Sequence, residues 1–401
     1  YTEVSGNSVT ISDYFDNRFR DSSRILRVVS AFFIVLFFLI YTASGFVAGA
    51  RLFNTVFGLS YINGLILGCA VILIYTVLGG FLAVSWTDLF QGLLMIIALV
   101  GVPIGVISAL GGTQTAITSA KEINPHVLNL LKNPDGSTLG FWAIASLMAW
   151  GLGYPGMPHI ITRFMAIRDA DETKRARRIA IFWVFLGLLC AVLIGVLGMT
   201  FLKDSPLQGA DEEKVFMVLI QAIFHPAIGG IFLAGVLAAI MSTVDSQLLV
   251  ASSSVTKDFY QVFIKREASD KELVIIGRIA VAIIAAIAFV MALNPDNKVL
   301  DLVSYAWAGL GSTFAPIIVV SLYWKDMNRH GAFAGMLVGG ITSIVWNKLS
   351  GGMFEIYELL PGFVFATIAI FVVSKLTGGA QQVIKDEFEK VQSMLTKKAQ
   401  P

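Results

Sequence analysis

Charge is what this sequence has least of. Only 14 % of its 401 residues are Asp, Glu, Lys or Arg, and 56 % are hydrophobic, where ordinary soluble domains are about a quarter charged. So few charges cannot clothe a water-soluble surface. This excludes a soluble globular enzyme, a disordered tail protein and a nucleic-acid binder. The formal net charge is +2, so no strong field draws in nucleic acid or an acidic partner. Cysteine is nearly absent as well. Cys69 and Cys190 lie inside apolar runs and offer neither a disulfide framework nor metal-ligand spacing. No Ser-His-Asp, HExxH, P-loop or CxxC pattern occurs, so an intramembrane enzyme or an ATP-driven pump has no constellation to rest on. With a mean hydropathy of +0.77, the class that remains is an all-α polytopic membrane protein.

A membrane helix needs about 20 mostly apolar residues. That window predicts ten spans, at 26–49, 61–82, 89–110, 141–162, 179–202, 227–253, 274–293, 300–323, 331–347 and 356–375. Gly49, Gly68, Gly79, Gly80, Gly229, Gly230 and Gly235 recur within them, and small residues let helices approach closely in lipid. The spans therefore read as a packed bundle. A β-barrel is excluded, because its strands alternate polar and apolar over about 10 residues. With the N-terminal segment inside, 22 of the 29 lysines and arginines fall on the cytoplasmic side, and the positive-inside bias then puts both chain ends in the cytoplasm. The expected organisation is a cytoplasmic segment 1–25, a transmembrane region 26–375 and a polar, helix-prone cytoplasmic tail 376–401. Residues 1–23 hold no apolar core of signal-peptide length.

Polar groups inside spans discriminate among helical bundles, because each is costly in lipid. The sixth span carries Ala239, Ser242, Thr243 and Ser246 on one stripe at i, i+3, i+4 and i+7, with Asp245 at its edge. Serines and threonines commonly bond back to a carbonyl one turn earlier, but a carboxylate among apolar helices needs a cation, a basic partner or a proton. The stripe suits a hard monovalent cation, which seeks several oxygens. Asp88, a second intramembrane acid, reads equally as the N-cap of the third span or as a functional carboxylate.

The fourth span contains Trp150-Gly-Leu-Gly-Tyr154-Pro-Gly-Met-Pro158, which cannot hold a regular helix. A helix broken within a span marks a transporter's substrate site. Trp150 and Tyr154, four apart, could share one wall of it. Tyr41, Thr42 and Ser44 in the first span fit packing or pocket alike. His159 and Arg163 read as interface anchors, and His225 before Pro226 as an external helix cap.

The runs Ile74–Asp88 and Ala239–Leu249 resemble the signatures of the solute:sodium symporter family, and the similarity extends from Ser12-Asp13-Tyr14-Phe15 through Gly331–Met336. Ile40–Phe53, Trp150–Tyr154 with Pro158-His159, and Leu302–Gly309 resemble its proline-carrying branch. The resemblance implies a LeuT-like inverted-repeat core and sodium-coupled symport of L-proline in the bacterial cytoplasmic membrane. It implies sodium at Ala239, Ser242 and Thr243, a possible second cation site at Asp88, Asp245 and Ser246, and a proline pocket at Tyr41, Trp150, Tyr154 and Pro158. Family members have thirteen helices, which places three before Tyr1 and leaves the core here incomplete. The expectation is that the 401-residue chain alone does not transport. The expected partners are proline and membrane lipid, with no nucleic acid and no obligate protein partner. The same fold carrying pantothenate, a sugar or another small solute is one alternative. A sensory module is another, although the tail after 375 is too short for a catalytic domain.

Overall fold

The computed structural model describes residues 1–399 apart from 3, 9, 79 and 80; Gly79 and Gly80, expected at a helix contact, lie outside the described residues. The chain folds into helices α1 (Ile11–Arg18), α2 (Ile25–Phe57), α3 (Tyr61–Leu78), α4 (Phe81–Ala109), α5 (Thr113–Ile123), α6 (Phe141–Gly153), α7 (Pro158–Met165), α8 (Glu172–Phe201) and α9 (Val215–Ile223). They are followed by α10 (Pro226–Ser253), α11 (Asp270–Met291), α12 (Val299–Tyr323), α13 (Arg329–Trp346), α14 (Leu359–Leu376) and α15 (Gln382–Ala399). Seven helices among the described residues are long and apolar enough to cross a membrane: α2, α4, α8, α10 with its extension to Ile264, α11, α12 and α14. The other three expected spans correspond to α3, to α6 with α7, and to the 18-residue α13.

Burial sorts these helices into centre and periphery. In the most apolar stretch of α12, 78 % of the residues are buried, and in α2 half are, against 11 % in α8. The sequence of α8 explains its place. Ile179, Phe182, Val184, Phe185, Leu188 and Val192 spread over more than half of its circumference and stay exposed, as suits a helix that meets lipid on most sides. α12 offers Ala306, Ala308, Gly309, Gly311, Ser312 and Ala315, small enough for neighbours to press in from all directions. α13 presses in this way where Gly339 meets α12: a Cβ added at 339 would sit 2.0 Å from the Ser312 carbonyl oxygen.

The two ends of the bundle are tied by charge. At one end α15 buries Ile384 and Val391, and its polar side pairs Glu387 with Arg20, Lys385 with Asp326 at 2.7 Å and Glu389 with Lys325 at 3.2 Å. At the other, Arg51 near the end of α2 pairs with Glu213 and donates to the Asn297 carbonyl at 2.7 Å. Between these ends α10 crosses α2 and α4, and α12 crosses α2 and the break between α6 and α7. Those crossings position the candidate site.

Candidate functional site

On α10 the hydroxyl stripe is intact. The Ala239 carbonyl accepts from Ser242 Oγ at 3.2 Å and from Thr243 Oγ1 at 2.9 Å, and Ser246 Oγ donates to the Ser242 carbonyl at 2.7 Å. These back-bonds occupy the hydroxyl hydrogens and leave oxygen lone pairs available. A cation approaching the stripe would meet acceptors. Asp245, fully buried, takes a bond from Ser246 Oγ at 3.2 Å through Oδ1, while its Oδ2 has no partner among the described residues.

Asp88 is not a helix cap. α4 begins at Phe81, two turns earlier, and Thr87 Oγ1 bonds back to the Val84 carbonyl at 2.9 Å within the same helix. The carboxylate is held instead by Arg163 of α7, which pairs with Asp88 Oδ2. Asp88 Oδ1 is buried with no partner among the described residues. Arg163 also donates to Ser246 Oγ at 2.9 Å and to the His159 carbonyl at 2.9 Å. It therefore joins α4, α7 and α10 and is more than an interface anchor. His159 also turns inward, its ring edge-on to Phe38 at 5.7 Å and to Tyr41 at 6.1 Å.

A cavity of about 560 Å³ gathers several of these groups: Tyr41, Asp88, His159, Arg163, Ser242, Thr243 and Ser246 line it. The structure thus joins one expected pocket residue, Tyr41, to the expected cation residues. Ala239 and Asp245 are absent from that lining. A smaller cavity of about 280 Å³ shares Arg163 and Ser246 with it and extends to Thr10 and Lys257.

Trp150, Tyr154 and Pro158 are placed by the break. α6 ends at Gly153, Tyr154–Gly156 form a 3₁₀ turn, and Met157 is extended at φ −84° and ψ 109° before Pro158 opens α7. The turn lies hard against α12: a Cβ at Gly156 would come 2.7 Å from the Ala315 backbone nitrogen. Trp150 stacks between Trp307 of α12, at 5.3 Å, and Tyr357, at 6.0 Å. Tyr154 stands edge-on to Trp307 at 4.9 Å. Trp150 and Tyr154 therefore both rest on Trp307, and neither is among the residues lining the cavity of about 560 Å³. Sequence reasoning read Arg163 only as an interface anchor and assigned no role to Trp307 or Tyr357. A single indole within Ala306-Trp307-Ala308-Gly309 was the available signal, since only small neighbours leave room for it to be contacted from two sides.

The pattern of the "Sodium:solute symporter family" matches residues 2–339. A "Sodium/proline symporter" of Salmonella typhimurium is 46 % identical over 394 residues, 97 % of this chain and 77 % of that protein. The "Osmoregulated proline transporter OpuE" of Bacillus subtilis is 47 % identical over 380 residues, 94 % of this chain and 76 % of that protein. A solved structure of a Na⁺-coupled sialic acid symporter in a substrate-bound, outward-open state superposes with a TM-score of 0.72 at 21 % identity, covering 93 % of this chain and 78 % of that one. That last likeness establishes a shared fold.

Proposed function

We infer function for a chain that belongs to the sodium:solute symporter family: it carries L-proline into the cell together with sodium, by alternating access. One observation carries this reading. Tyr41 and the hydroxyls Ser242, Thr243 and Ser246 face a single cavity, so a solute and an ion bound there would each alter the other's surroundings. The chain is a symporter and not an enzyme, its coupling ion is sodium and it is a multi-pass membrane protein.

In the mechanism proposed, sodium binds first at Ala239, Ser242 and Thr243, where it takes up hydroxyl lone pairs and draws α10 into one conformation. Asp88, Asp245 and Ser246 supply a second group of oxygens. Proline packs its ring against Tyr41, Trp150 and Tyr154, and Pro158 opens the helix that bounds the pocket. Closure around both ligands and reopening on the other side releases them inward. Each charge moved is worth about 2.3 kcal/mol per 100 mV, so the membrane potential adds to the sodium gradient. Residues 1–25 and the tail from 376 face the cytoplasm in this reading, supported by the 22 of 29 basic residues on that side. Residues 26–375 form the lipid-embedded transport region.

Uptake of labelled proline by proteoliposomes containing the protein at its full natural length tests the function. Under an inward sodium gradient proline should accumulate above its outside concentration. Replacing external sodium by choline at fixed pH and voltage should reduce uptake to the leak of empty vesicles. Equal accumulation in choline would overturn sodium coupling, and displacement of labelled proline by pantothenate or a sugar would overturn the substrate.

A further inference from the structure

Another cavity, of about 260 Å³, has a basic wall. Arg24 and Arg27 line it from the start of α2. Lys257, Gln261, Val262 and Arg266 line it from the π-helical continuation of α10, Ser254–Ile264, and the turn after it. Local structure brings these groups together. Arg24 precedes α2 at φ 59° and makes no capping bond with its side chain, so its guanidinium is not spent on the helix start. In the π-helical segment the bonds run between residues five apart, which puts Gln261 and Val262 on the face of Lys257. Three carboxylates stand nearby, all on Arg27: Asp13 pairs with it, Asp16 lies at 3.2 Å and the buried Asp258 at 3.8 Å. Among the described residues no carboxylate pairs with Arg24, Lys257 or Arg266.

We propose that this cavity binds the phosphate of an anionic phospholipid. α2 begins at Ile25, α10 with its continuation ends at Ile264, and both are long and apolar enough to cross a membrane. The cavity therefore sits where two spans leave the apolar layer, at the depth of lipid headgroups. Like charges gathered round one space repel each other, and an anion among them offsets that cost. Arginine forks and a lysine ammonium are the donors that grip phosphate oxygens. The volume suits a phosphodiester headgroup, since one water takes about 30 Å³. Further along α2, Ile25 and Phe32 are seven residues apart on one face, and they are 49 % and 61 % exposed. They give an acyl chain a surface beside the headgroup, which a free phosphate would not use. A phosphate held here ties the start of α2 to the end of α10. Binding needs only a membrane-spanning chain and is independent of the solute carried.

Phosphatidylglycerol retained by the purified protein at its full natural length in a neutral detergent, counted per protein by mass spectrometry, tests this. The unchanged protein should keep one phosphatidylglycerol and no phosphatidylcholine. Arg24→Gln, Lys257→Gln and Arg266→Gln together should weaken retention about a hundredfold, because three basic contacts to the lipid are lost. Arg24→Lys, Lys257→Arg and Arg266→Lys together should keep the lipid, which separates loss of charge from misfolding. Neutralising Lys174, Arg175 and Arg178 to Gln, all exposed at the start of α8, should leave retention unchanged. Undiminished retention without the three basic residues of the cavity would overturn the site. So would equal loss in the α8 control or in the charge-keeping variant, or equal retention of phosphatidylcholine. Displacement of the lipid by inorganic phosphate at the lipid's own concentration would give the cavity to a free phosphate and overturn the lipid.

Discussion

The indole nitrogen of Trp307 donates to the backbone carbonyl of Trp150 at 3.0 Å, and the two rings lie 5.3 Å apart with 15° between their planes. The bond anchors the last turn of α6, just before the chain breaks, to α12, a helix buried on nearly all sides. Trp307→Phe keeps an aromatic face for Trp150 to stack on and removes the donor. One neutral hydrogen bond is worth about 1 kcal/mol net. We therefore expect the proline concentration for half-maximal uptake to rise about fivefold, with the maximal rate little changed. Uptake measured across proline concentrations checks this. An unchanged half-saturation value would remove the aromatic wall from the proline pocket.

A separate prediction concerns the ion. Ser242 and Thr243 each return a hydroxyl to the Ala239 carbonyl, so replacing either by Ala removes a lone pair from the stripe without leaving a buried donor behind. Folding should be spared, and Ser242→Ala or Thr243→Ala should express like the unchanged protein. The sodium concentration for half-maximal uptake should rise about tenfold, the equivalent of roughly 1.4 kcal/mol. A variant with normal expression and an unaltered sodium requirement would count against the first cation position.

Much of this architecture could be read from the sequence, and the failures have a common cause. Hydropathy located the apolar helices, because burial in lipid demands long apolar runs. Gly and Pro between 150 and 158 located the break, because neither residue sustains a helix. Periodicity placed Ser242, Thr243 and Ser246 on one stripe. What periodicity cannot supply is the partner across a helix contact. Asp88 read as a cap as readily as a functional acid because it stands directly before the expected span 89–110; only the pairing with Arg163, 75 residues away, accounts for a carboxylate inside α4. Trp307 and Trp150 are 157 residues apart, and nothing local in either segment announces the other.

The pairing of Arg51 with Glu213 offers a test of stability apart from transport. Glu213 also accepts from the backbone N–H groups of Val299 at 2.9 Å and Leu300 at 3.0 Å, so one carboxylate both caps α12 and answers an arginine whose side chain is only 5 % exposed. Glu213→Ala leaves that guanidinium without its carboxylate and the α12 terminus without its cap. Breaking a fully buried pair from one side costs about 3 kcal/mol or more, and this half-buried one should cost less. Thermal unfolding in detergent should show a lower midpoint for Glu213→Ala. Arg51→Ala combined with Glu213→Ala should cost less than the two single changes added together. Strict additivity would mean the pair contributes nothing as a pair.

The crossing of α2 and α10 yields the most stringent prediction, since it links packing to coupling. A Cβ built on Gly45 would fall within the Val244 Cγ2 methyl, and Val244 is fully buried between Thr243 and Asp245. Ala at 45 fits a helix backbone as well as Gly does, so local propensity alone favours the change by up to about 1 kcal/mol. Overpacking opposes it at about 1–3 kcal/mol, and the contact has no flexible side-chain end that could give way. Gly45→Ala should therefore lower the unfolding midpoint. It should also raise the sodium requirement, because α10 can relieve the clash only by moving the segment that carries the hydroxyls. Val244→Ala removes the obstructing methyl. The double variant Gly45→Ala with Val244→Ala should regain both stability and sodium sensitivity relative to Gly45→Ala alone. Recovery of stability without recovery of sodium sensitivity would separate the crossing from the ion site, and failure to recover either would mean that Gly45 and Val244 do not meet in the working protein.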